Sequence, residues 1–310
     1  GLSPPERPLA LLSSCALRSL SPMSALTTLD VGRYTLKGAS LGGLYTAFHI
    51  PELDSLFDVG LPLRMGATAR RLFLSHAHLD HLGALPALLG MRGMMGGGHK
   101  PLEVYCPQGV EDQLKESLSH LSALHRWPLE INTIPLEPDD EVELRKGLWV
   151  KALKTFHPVP SLGFLIFERI QKLKAELIGR PGTEIKALKE RDAPIFEVID
   201  RPQVAYLTDT LPEALKHAPQ ALEAQVLIIE CTFLNQVKPI EVARAGCHIH
   251  IDELIPWASQ IKSEHIVLMH FSQIHKPEEI RQICAERLTP LFGERLHLFL
   301  PPHHSNQWWL

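Results

Sequence analysis

The feature that most constrains this chain is a run of four metal-ligand side chains within six residues. Residues 75–81 are Ser-His-Ala-His-Leu-Asp-His, and they lie between a predicted strand at 71–75 and a predicted helix at 81–92. His76 and His78 are two residues apart, so at a strand end both side chains point to the same side. Imidazole and carboxylate without thiolate form a zinc-type ligand set that is typical of catalytic sites.

Three more donor side chains follow apolar segments that we predict to be strands. They are His157, Asp209 and His270. Two metal ions about 3.5–4 Å apart need three ligands each and one bridging group, and seven donors meet that need. We expect the first ion to bind His76, His78 and His157, and the second to bind Asp80, His81 and His270. Asp209 would bridge the two ions.

Short apolar runs dominate the first half of the chain, and strands and helices interleave throughout. The predicted strands are 34–37, 44–50, 55–59, 71–75, 104–106, 148–156, 163–168, 204–208, 226–230, 265–270 and 296–300. The predicted helices are 81–92, 109–125, 239–245, 252–262 and 277–288. This order indicates an α/β protein in which two sheets pack together and helices lie outside them.

The length and composition fit one folded domain with short extensions. With 310 residues, of which 45% are hydrophobic, the chain is long enough to bury a sizeable core. We expect a single domain over 28–300, a disordered leader rich in Ser and Pro over 1–27, and a C-terminal tail over 301–310. The tail carries His303-His304 and Trp308-Trp309, to which we assign no role.

The charge distribution limits any nucleic-acid partner to a local surface. The net charge of −4 excludes a globally basic nucleic-acid coat protein. Residues 169–191 differ from the rest, because seven basic and three acidic side chains give this segment a net charge of +4. Two interpretations are open: a solvated helical excursion, or an anion-binding arm.

Cysteine usage and hydropathy narrow the class of protein further. The five cysteines are odd in number and widely spaced, and no CxxC occurs. This pattern argues against a disulfide framework and a thiolate zinc site, and it favours a reducing compartment, the cytoplasm. No run of 18 apolar residues occurs, so we expect neither a transmembrane helix nor a membrane partner. We also expect no nucleotide cofactor.

The HxHxDH run followed by single His, Asp and His residues resembles the metallo-β-lactamase superfamily. Over residues 31 to about 291, the chain resembles short-form ribonuclease Z of the plant-like type, an endonuclease that removes the 3′ trailer from precursor tRNA. The matching stretches are 40–43, 57–60, 74–83, 154–157, 161–164, 182–186, 207–210, 230–233, 248–250 and 270–272. The resemblance implies a four-layer αββα sandwich with two mixed sheets face to face and helices outside.

The resemblance also implies roles for individual residues. It implies two zinc ions, with manganese or iron as alternatives, and phosphodiester hydrolysis by a metal-bridging hydroxide. Asp80 would be a metal ligand that also handles the proton of the attacking water, while His248, oriented by Glu230, would protonate the leaving 3′ oxygen. The basic arm matches a segment that grips tRNA for the partner subunit of a homodimer. Its candidate contacts are Lys172, Lys174, Arg180 and Lys186.

The chain departs from the ribonuclease Z pattern at four positions. Ile274 and His275 stand where the family has Arg and Tyr, Cys247 replaces the Gly before the proposed acid, and Thr208 replaces the Gly before the bridging Asp. The family's Arg would contact the substrate phosphate or support the site residues, so its absence leaves open how this chain binds its substrate. One alternative is therefore a metal-dependent hydrolase of a small phosphodiester or ester on the same fold. A metal-binding fold without catalysis is a second alternative, against which the complete donor set argues. We expect His250 either to support the site residues without binding metal or to be structural.

Overall fold

The computed structural model describes residues 26–95, 100–191 and 193–301. The first 25 residues of the predicted leader, and the predicted tail beyond Pro301, lie outside the described residues. Thr27, which we predicted to belong to the leader, begins the first strand, and its Oγ1 donates a 2.8 Å hydrogen bond to the Leu300 carbonyl. Within the described ranges, no helix has the length and apolar character needed to cross a bilayer.

The first sheet contains seven strands that neighbour one another in chain order. They are β1 (Thr27–Val31), β2 (Tyr34–Leu41), β3 (Tyr45–Ile50), β4 (Ser55–Phe57), β5 (Arg71–Phe73), β6 (Leu102–Pro107) and β7 (Ile131–Leu136). The pairs from β1 to β4 are antiparallel, and those from β4 to β7 are parallel. The helices of this half are α1 (Leu79–Leu82), α2 (Leu85–Met94) and α3 (Glu111–His125).

The second sheet also has seven strands, again in chain order. They are β8 (Glu141–Arg145), β9 (Leu148–Lys154), β10 (Leu162–Leu173), β11 (Phe196–Leu207), β12 (Val226–Glu230), β13 (His265–Met269) and β14 (Leu296–Leu298). The pairs from β8 to β11 are antiparallel, and those from β11 to β14 are parallel. The helices are α4 (Gly182–Glu190), α5 (Ala214–His217), α6 (Ile240–Ala245), α7 (Ile251–Leu254), α8 (Pro277–Arg287) and α9 (Thr289–Phe292).

Apolar side chains from the inner faces of both sheets form the central layer of the core. Phe73 of β5 packs on Phe164 of β10 with ring centroids 5.2 Å apart, and Phe48 of β3 packs on Tyr206 of β11 at 5.9 Å. A second apolar cluster joins the outer face of the first sheet to α2 and α3, and a third joins the second sheet to α7, α8 and α9. The predicted arrangement of two mixed sheets with helices outside is therefore confirmed.

Several element bounds differ from the prediction for local reasons. The predicted helix 81–92 is two helices, because the chain turns at 83–84 and Pro86 lies in the first turn of α2, where a missing N–H costs nothing. The predicted helix 252–262 is limited to α7 and a 3₁₀ turn at Ile255–Trp257, since Pro256 removes a backbone donor. Strand β7 was missed because its residues lack a regular alternation and include Pro135, and β8 because it is only five residues long and three of them are charged.

Candidate metal centre and active site

The seven predicted donors lie together at one edge of the sandwich, where strands end. Each lies in α1, directly before it, or within three residues of the carboxyl end of a strand. They follow β5 (His76, His78 and, in α1, Asp80 and His81), β9 (His157), β11 (Asp209) and β13 (His270). Because β11, β12 and β13 are parallel neighbours, their carboxyl ends meet at the same edge and bring residues distant in sequence into contact.

His76, His78 and His157 form one group around one carboxylate oxygen of Asp209. His78 Nδ1 lies 3.1 Å from both His76 Nε2 and His157 Nε2. Asp209 Oδ2 lies 3.5 Å from His76 Nε2 and 4.0 Å from His157 Nε2. Three ring nitrogens and one carboxylate oxygen face a common point and could hold a metal ion.

Asp80, His81 and His270 form a second group around the other oxygen of Asp209. Asp209 Oδ1 lies 3.2 Å from His270 Nε2 and 3.4 Å from His81 Nε2, and these two nitrogens are 3.3 Å apart. Asp80 Oδ2 lies 3.6 Å from His81 Nε2 and 3.7 Å from His270 Nε2. Asp209 thus turns one oxygen to each group, as a bridging residue must.

The donor chemistry of both groups fits divalent metal ions. A tetrahedral ion with metal–nitrogen bonds of about 2.0–2.1 Å places its ligands roughly 3.3 Å apart, close to the donor separations here. Burial, reinforced by His81, lowers the pKa of His76 to about 2, so this imidazole is neutral, as a metal ligand must be. Burial opposes ionisation of Asp209, but His270 and His81 hold its pKa well below the usual range. Neutral nitrogen donors beside a buried carboxylate make a site for cations.

Asp58 supports the second group from behind, a role that we did not predict. Its buried carboxylate accepts hydrogen bonds from His81 Nδ1 at 2.8 Å, from Tyr206 Oη at 2.7 Å, and from the Ser75 N–H and hydroxyl at 2.7 and 2.8 Å. His81 therefore carries a proton on Nδ1 and turns Nε2 to the cluster, as in carboxylate–histidine–metal sites. An available signal was its place directly after a buried strand in the matching stretch 57–60.

His248 and Glu230 stand beside the second group. His248 Nδ1 lies 3.3 Å from Glu230 Oε1, and its ring stacks on that of His270, with centroids 5.3 Å apart and planes inclined by 28°. Burial lowers the pKa of His248, but the Glu230 carboxylate raises it, and the outcome is a pKa of about 9. An imidazole protonated at neutral pH thus lies next to the candidate metal centre, a state suited to a general acid.

Comparison with known proteins decides the family. The family model described as "Beta-lactamase superfamily domain" matches residues 61–271. A tRNase Z of Arabidopsis thaliana is 34% identical over 277 residues, which cover 87% of this chain and 97% of the relative.

The chain belongs to the ribonuclease Z family.

Solved structures agree on the fold. The short form of human tRNase Z superposes with a TM-score of 0.54 at 19% identity, covering 89% of this chain and 96% of the human chain. The metallo-β-lactamase fold protein YhfI from Bacillus subtilis superposes with a TM-score of 0.57 at 16% identity, covering 85% and 94% of the two chains. The predicted metallo-β-lactamase fold and the predicted membership of the ribonuclease Z branch are therefore confirmed.

The basic segment implied by the ribonuclease Z resemblance is a two-stranded arm with a short helix, α4, between its strands. β10 and β11 are each 12 residues long, and they pair continuously from Phe167 and Pro202 outward to Leu173 and Phe196. The predicted strands 163–168 and 204–208 cover only the inner half, since the exposed outer half has the polarity of a loop. The arm thus includes the returning strand, which the predicted bounds 169–191 left out.

The returning strand changes the charge of the arm. Residues 192–201 add three acidic side chains and one basic, which lowers the net charge from +4 to +2. Arg169 is neutralised by Asp200 at 2.7 Å and Glu141 at 2.9 Å, and Arg180 pairs with Glu184 at 2.6 Å. Free positive charge comes instead from the four lysines of the segment, for which the described part of the chain offers no ion-pair partner. They are Lys189 and the three predicted tRNA contacts Lys172, Lys174 and Lys186.

Two of the four departures from the ribonuclease Z pattern directly precede site residues, Thr208 before Asp209 and Cys247 before His248. Thr208 Oγ1 donates a 2.8 Å hydrogen bond to Asp209 Oδ1, and Cys247 adopts a left-handed backbone with φ of 57°. His275 is buried beside Glu279 on α8, whereas the apolar side chain of Ile274 is 44% exposed. His250 is the N-cap residue directly before α7, and its side chain accepts the Asp252 N–H.

Proposed function

We propose that this protein is a metal-dependent endoribonuclease that removes the 3′ trailer of precursor tRNA by phosphodiester hydrolysis. The observation that carries the proposal is the stacking of His248 on His270. It places a protonated imidazole, oriented by Glu230, against a seven-donor cluster in a chain of the ribonuclease Z family. A phosphodiester needs both parts, because the phosphate charge must be stabilised and the leaving oxygen must be protonated.

We propose two zinc ions as the native metals, held by His76, His78, His157 and Asp209 on one side and by Asp80, His81, His270 and Asp209 on the other. Nitrogen donors and single carboxylate oxygens without thiolate favour zinc, and manganese or iron suit the same donors. When bound, such ions stabilise phosphate charge and bring the pKa of water close to neutrality.

The residues of the chain divide the proton transfers between them. His248 holds one proton on Nδ1 towards Glu230 and presents its second proton, on Nε2, to the leaving 3′ oxygen. Asp80 is fixed by the Gly43 N–H at 3.0 Å. Although burial opposes its ionisation, the hydrogen bond with His270 lowers the pKa of Asp80 to about 2, so it is a carboxylate that accepts the proton of the attacking water.

We propose that the arm binds the body of the tRNA with Lys172, Lys174 and Lys186, while Arg180 keeps the arm folded through Glu184. The geometry supports a homodimer in which each arm serves the partner's centre. β10 starts beside the cluster, where the Leu162 N–H donates to the Ser75 carbonyl, and it runs away from the cluster for 12 residues. At about 3.3 Å per residue, the outer end of β10 lies roughly 35 Å from the metal centre of its own subunit.

An apolar groove between α2 and α3 supports the homodimer as well. Its volume is about 800 Å³, and three of the large side chains along it are strongly exposed: Met94 (81%), Leu124 (82%) and Trp127 (57%). Large exposed apolar patches mark protein contacts. We expect sedimentation velocity to give a dimer for the wild-type protein and a monomer for Leu124→Asp. A monomeric wild type at micromolar concentration would contradict this part of the proposal.

Relative rates on two substrates test the proposed function. The zinc-loaded protein is incubated with a precursor tRNA carrying a 3′ trailer and, separately, with a simple bis-aryl phosphodiester, beside a His76→Ala control. We expect efficient cleavage of the precursor, lost in the control. Rapid turnover of the small diester with an intact precursor would instead favour the small-phosphodiester hydrolase, the outcome that exposed Ile274 in place of the family's Arg would then explain.

We place this activity in the cytoplasm. Cys106, Cys231, Cys247 and Cys284 are free thiols in the described part of the chain, and three of them are buried. Free thiols without structural disulfides are characteristic of reducing compartments.

A further inference from the structure

Thr232 joins the carboxylate beside His248 to the metal centre. Its Oγ1 lies 2.5 Å from Glu230 Oε2 and 3.0 Å from His270 Nδ1. Thr232 is only 3% exposed, and both of its partners are buried. A single hydroxyl therefore contacts the group that orients the proposed acid and one of the proposed metal ligands.

The directions of these hydrogen bonds follow from the donor and acceptor capacity of each group. A hydroxyl has one proton and two lone pairs, and an ionised carboxylate only accepts. The Thr232 hydroxyl therefore donates to Glu230, and its lone pair faces His270 Nδ1, which must carry a proton and donate. When a metal ion is bound, His270 would then coordinate it through an unprotonated Nε2, the nitrogen that lies 3.2 Å from Asp209 Oδ1.

Glu230 is itself held rigidly. The backbone N–H of Thr210 donates to Oε1 at 2.7 Å, and that of Ile249 donates to Oε2 at 3.2 Å. With Oε1 also bonded to His248, the carboxylate has no freedom to rotate. The two stacked imidazoles are thus attached to one fixed group, His248 directly and His270 through Thr232.

We propose that Thr232 is a positioning residue that selects the Nδ1-protonated tautomer of His270 and sets its position relative to His248. The proposal rests on the proposed function, which makes His270 a metal ligand and His248 the acid. Loss of the hydroxyl leaves His270 free to adopt either tautomer and leaves Glu230 Oε2 with one donor fewer. Removing a partner of this kind typically weakens metal affinity or activity by about 10–100-fold.

Zinc affinity tests this role without RNA. Zinc binding to the full-length wild type, Thr232→Val and Thr232→Ser is measured by competition with a chromophoric chelator. We expect Thr232→Val to weaken one of the two zinc sites by about 10–100-fold, and Thr232→Ser, which keeps the hydroxyl, to remain close to wild type. Thr155→Val is the matched control, because it also removes a buried hydroxyl, one bonded to Ser161 Oγ at 2.7 Å. It should keep wild-type zinc affinity.

Steady-state kinetics with precursor tRNA supply the second readout. Because Thr232 does not face the solvent, we expect Thr232→Val to lower kcat while KM changes little. If Thr232→Val does not fold, Thr232→Cys, which keeps a weak donor of similar volume, should give an intermediate zinc affinity. Wild-type zinc affinity in Thr232→Val, or an equal loss in Thr232→Ser, overturns the proposal. Thr232-dependent zinc binding in a protein that leaves precursor tRNA intact would support the role of Thr232 and contradict the proposed function.

Discussion

Replacing Glu230 with glutamine removes one negative charge at nearly constant shape. The carboxylate accepts hydrogen bonds from the Thr210 N–H, the Ile249 N–H, the Thr232 hydroxyl and His248 Nδ1. An amide offers a single acceptor oxygen and two N–H donors, so its NH₂ group would face donors in a fully buried place. The change therefore removes the ionic partner of His248 and disturbs the group that orients it.

The size of the effect follows from the pKa of His248. Burial lowers this pKa and Glu230 raises it to about 9, against an ordinary value of 6.5. With the charge gone, burial still lowers the pKa and Asp209 still raises it, so we expect a return to about the ordinary 6.5. His248 is protonated below its pKa and deprotonated above it. At pH 8 the protonated fraction therefore falls from about nine-tenths in the wild type to about 3% in the variant. At pH 6, His248 is mostly protonated in both proteins. We therefore expect Glu230→Gln to lower the rate about 20-fold more at pH 8 than at pH 6.

The assay is kcat/KM for precursor tRNA between pH 6 and pH 10 with zinc-loaded wild type and Glu230→Gln. The wild-type rate should fall above about pH 9, and the alkaline limb of the variant should begin about two pH units lower. Glu253→Gln is the matched control, since Glu253 is nearly buried but pairs with Arg244 at 2.6 Å, away from His248. An alkaline limb at the same pH in wild type and Glu230→Gln would refute the assignment of His248 as the acid.

Three further sets of substitutions test the lysines of the arm, the backbone at Cys247 and the contact between Asp58 and His81. Replacing Lys172, Lys174 and Lys186 together with Gln should weaken precursor tRNA binding and lower the slope of log Kd against log salt concentration by about 2–3. An unchanged slope would mean that another surface binds the tRNA. Cys247→Gly should raise the free energy of unfolding in urea by about 0.5–1 kcal/mol, because glycine relieves the left-handed backbone at φ 57°; a less stable variant would contradict this. Asp58→Asn should weaken zinc binding by about 10–100-fold, because it removes the negative charge beside His81 and leaves one acceptor oxygen for four donors; calorimetry that shows wild-type affinity would rule out this support.

The donor cluster was predictable because its information is local. The run from His76 to His81 places four donors within six residues, and His157, Asp209 and His270 each follow a segment whose apolar residues indicate a strand. Parallel strands bring such ends to one edge, and the two groups of donors that lie together there have the membership that we expected for the two ions. The pairing of Glu230 with His248 came from the family resemblance and agrees with the 3.3 Å contact.

Contacts between residues distant in sequence were not predictable in the same way. Asp58 bonds to Tyr206, 148 positions away, and Thr232 bonds to His270, 38 positions away. No local pattern distinguishes such buried polar residues from ordinary turn residues. The arm illustrates the same limit, because the exposed ends of β10 and β11 lack an apolar alternation and become strands by pairing with each other.

Mapping the ends of the products from precursor tRNA tests directly whether this protein removes the 3′ trailer by a single hydrolytic cut. A precursor with a 3′ trailer is incubated with zinc-loaded protein, and both products are sequenced. We expect one cut after the discriminator base, with a 3′ hydroxyl on the tRNA, which His248 has protonated, and a 5′ phosphate on the trailer. The cut should be absent with His76→Ala. An intact precursor, or stepwise shortening of the trailer from its 3′ end, would contradict the account.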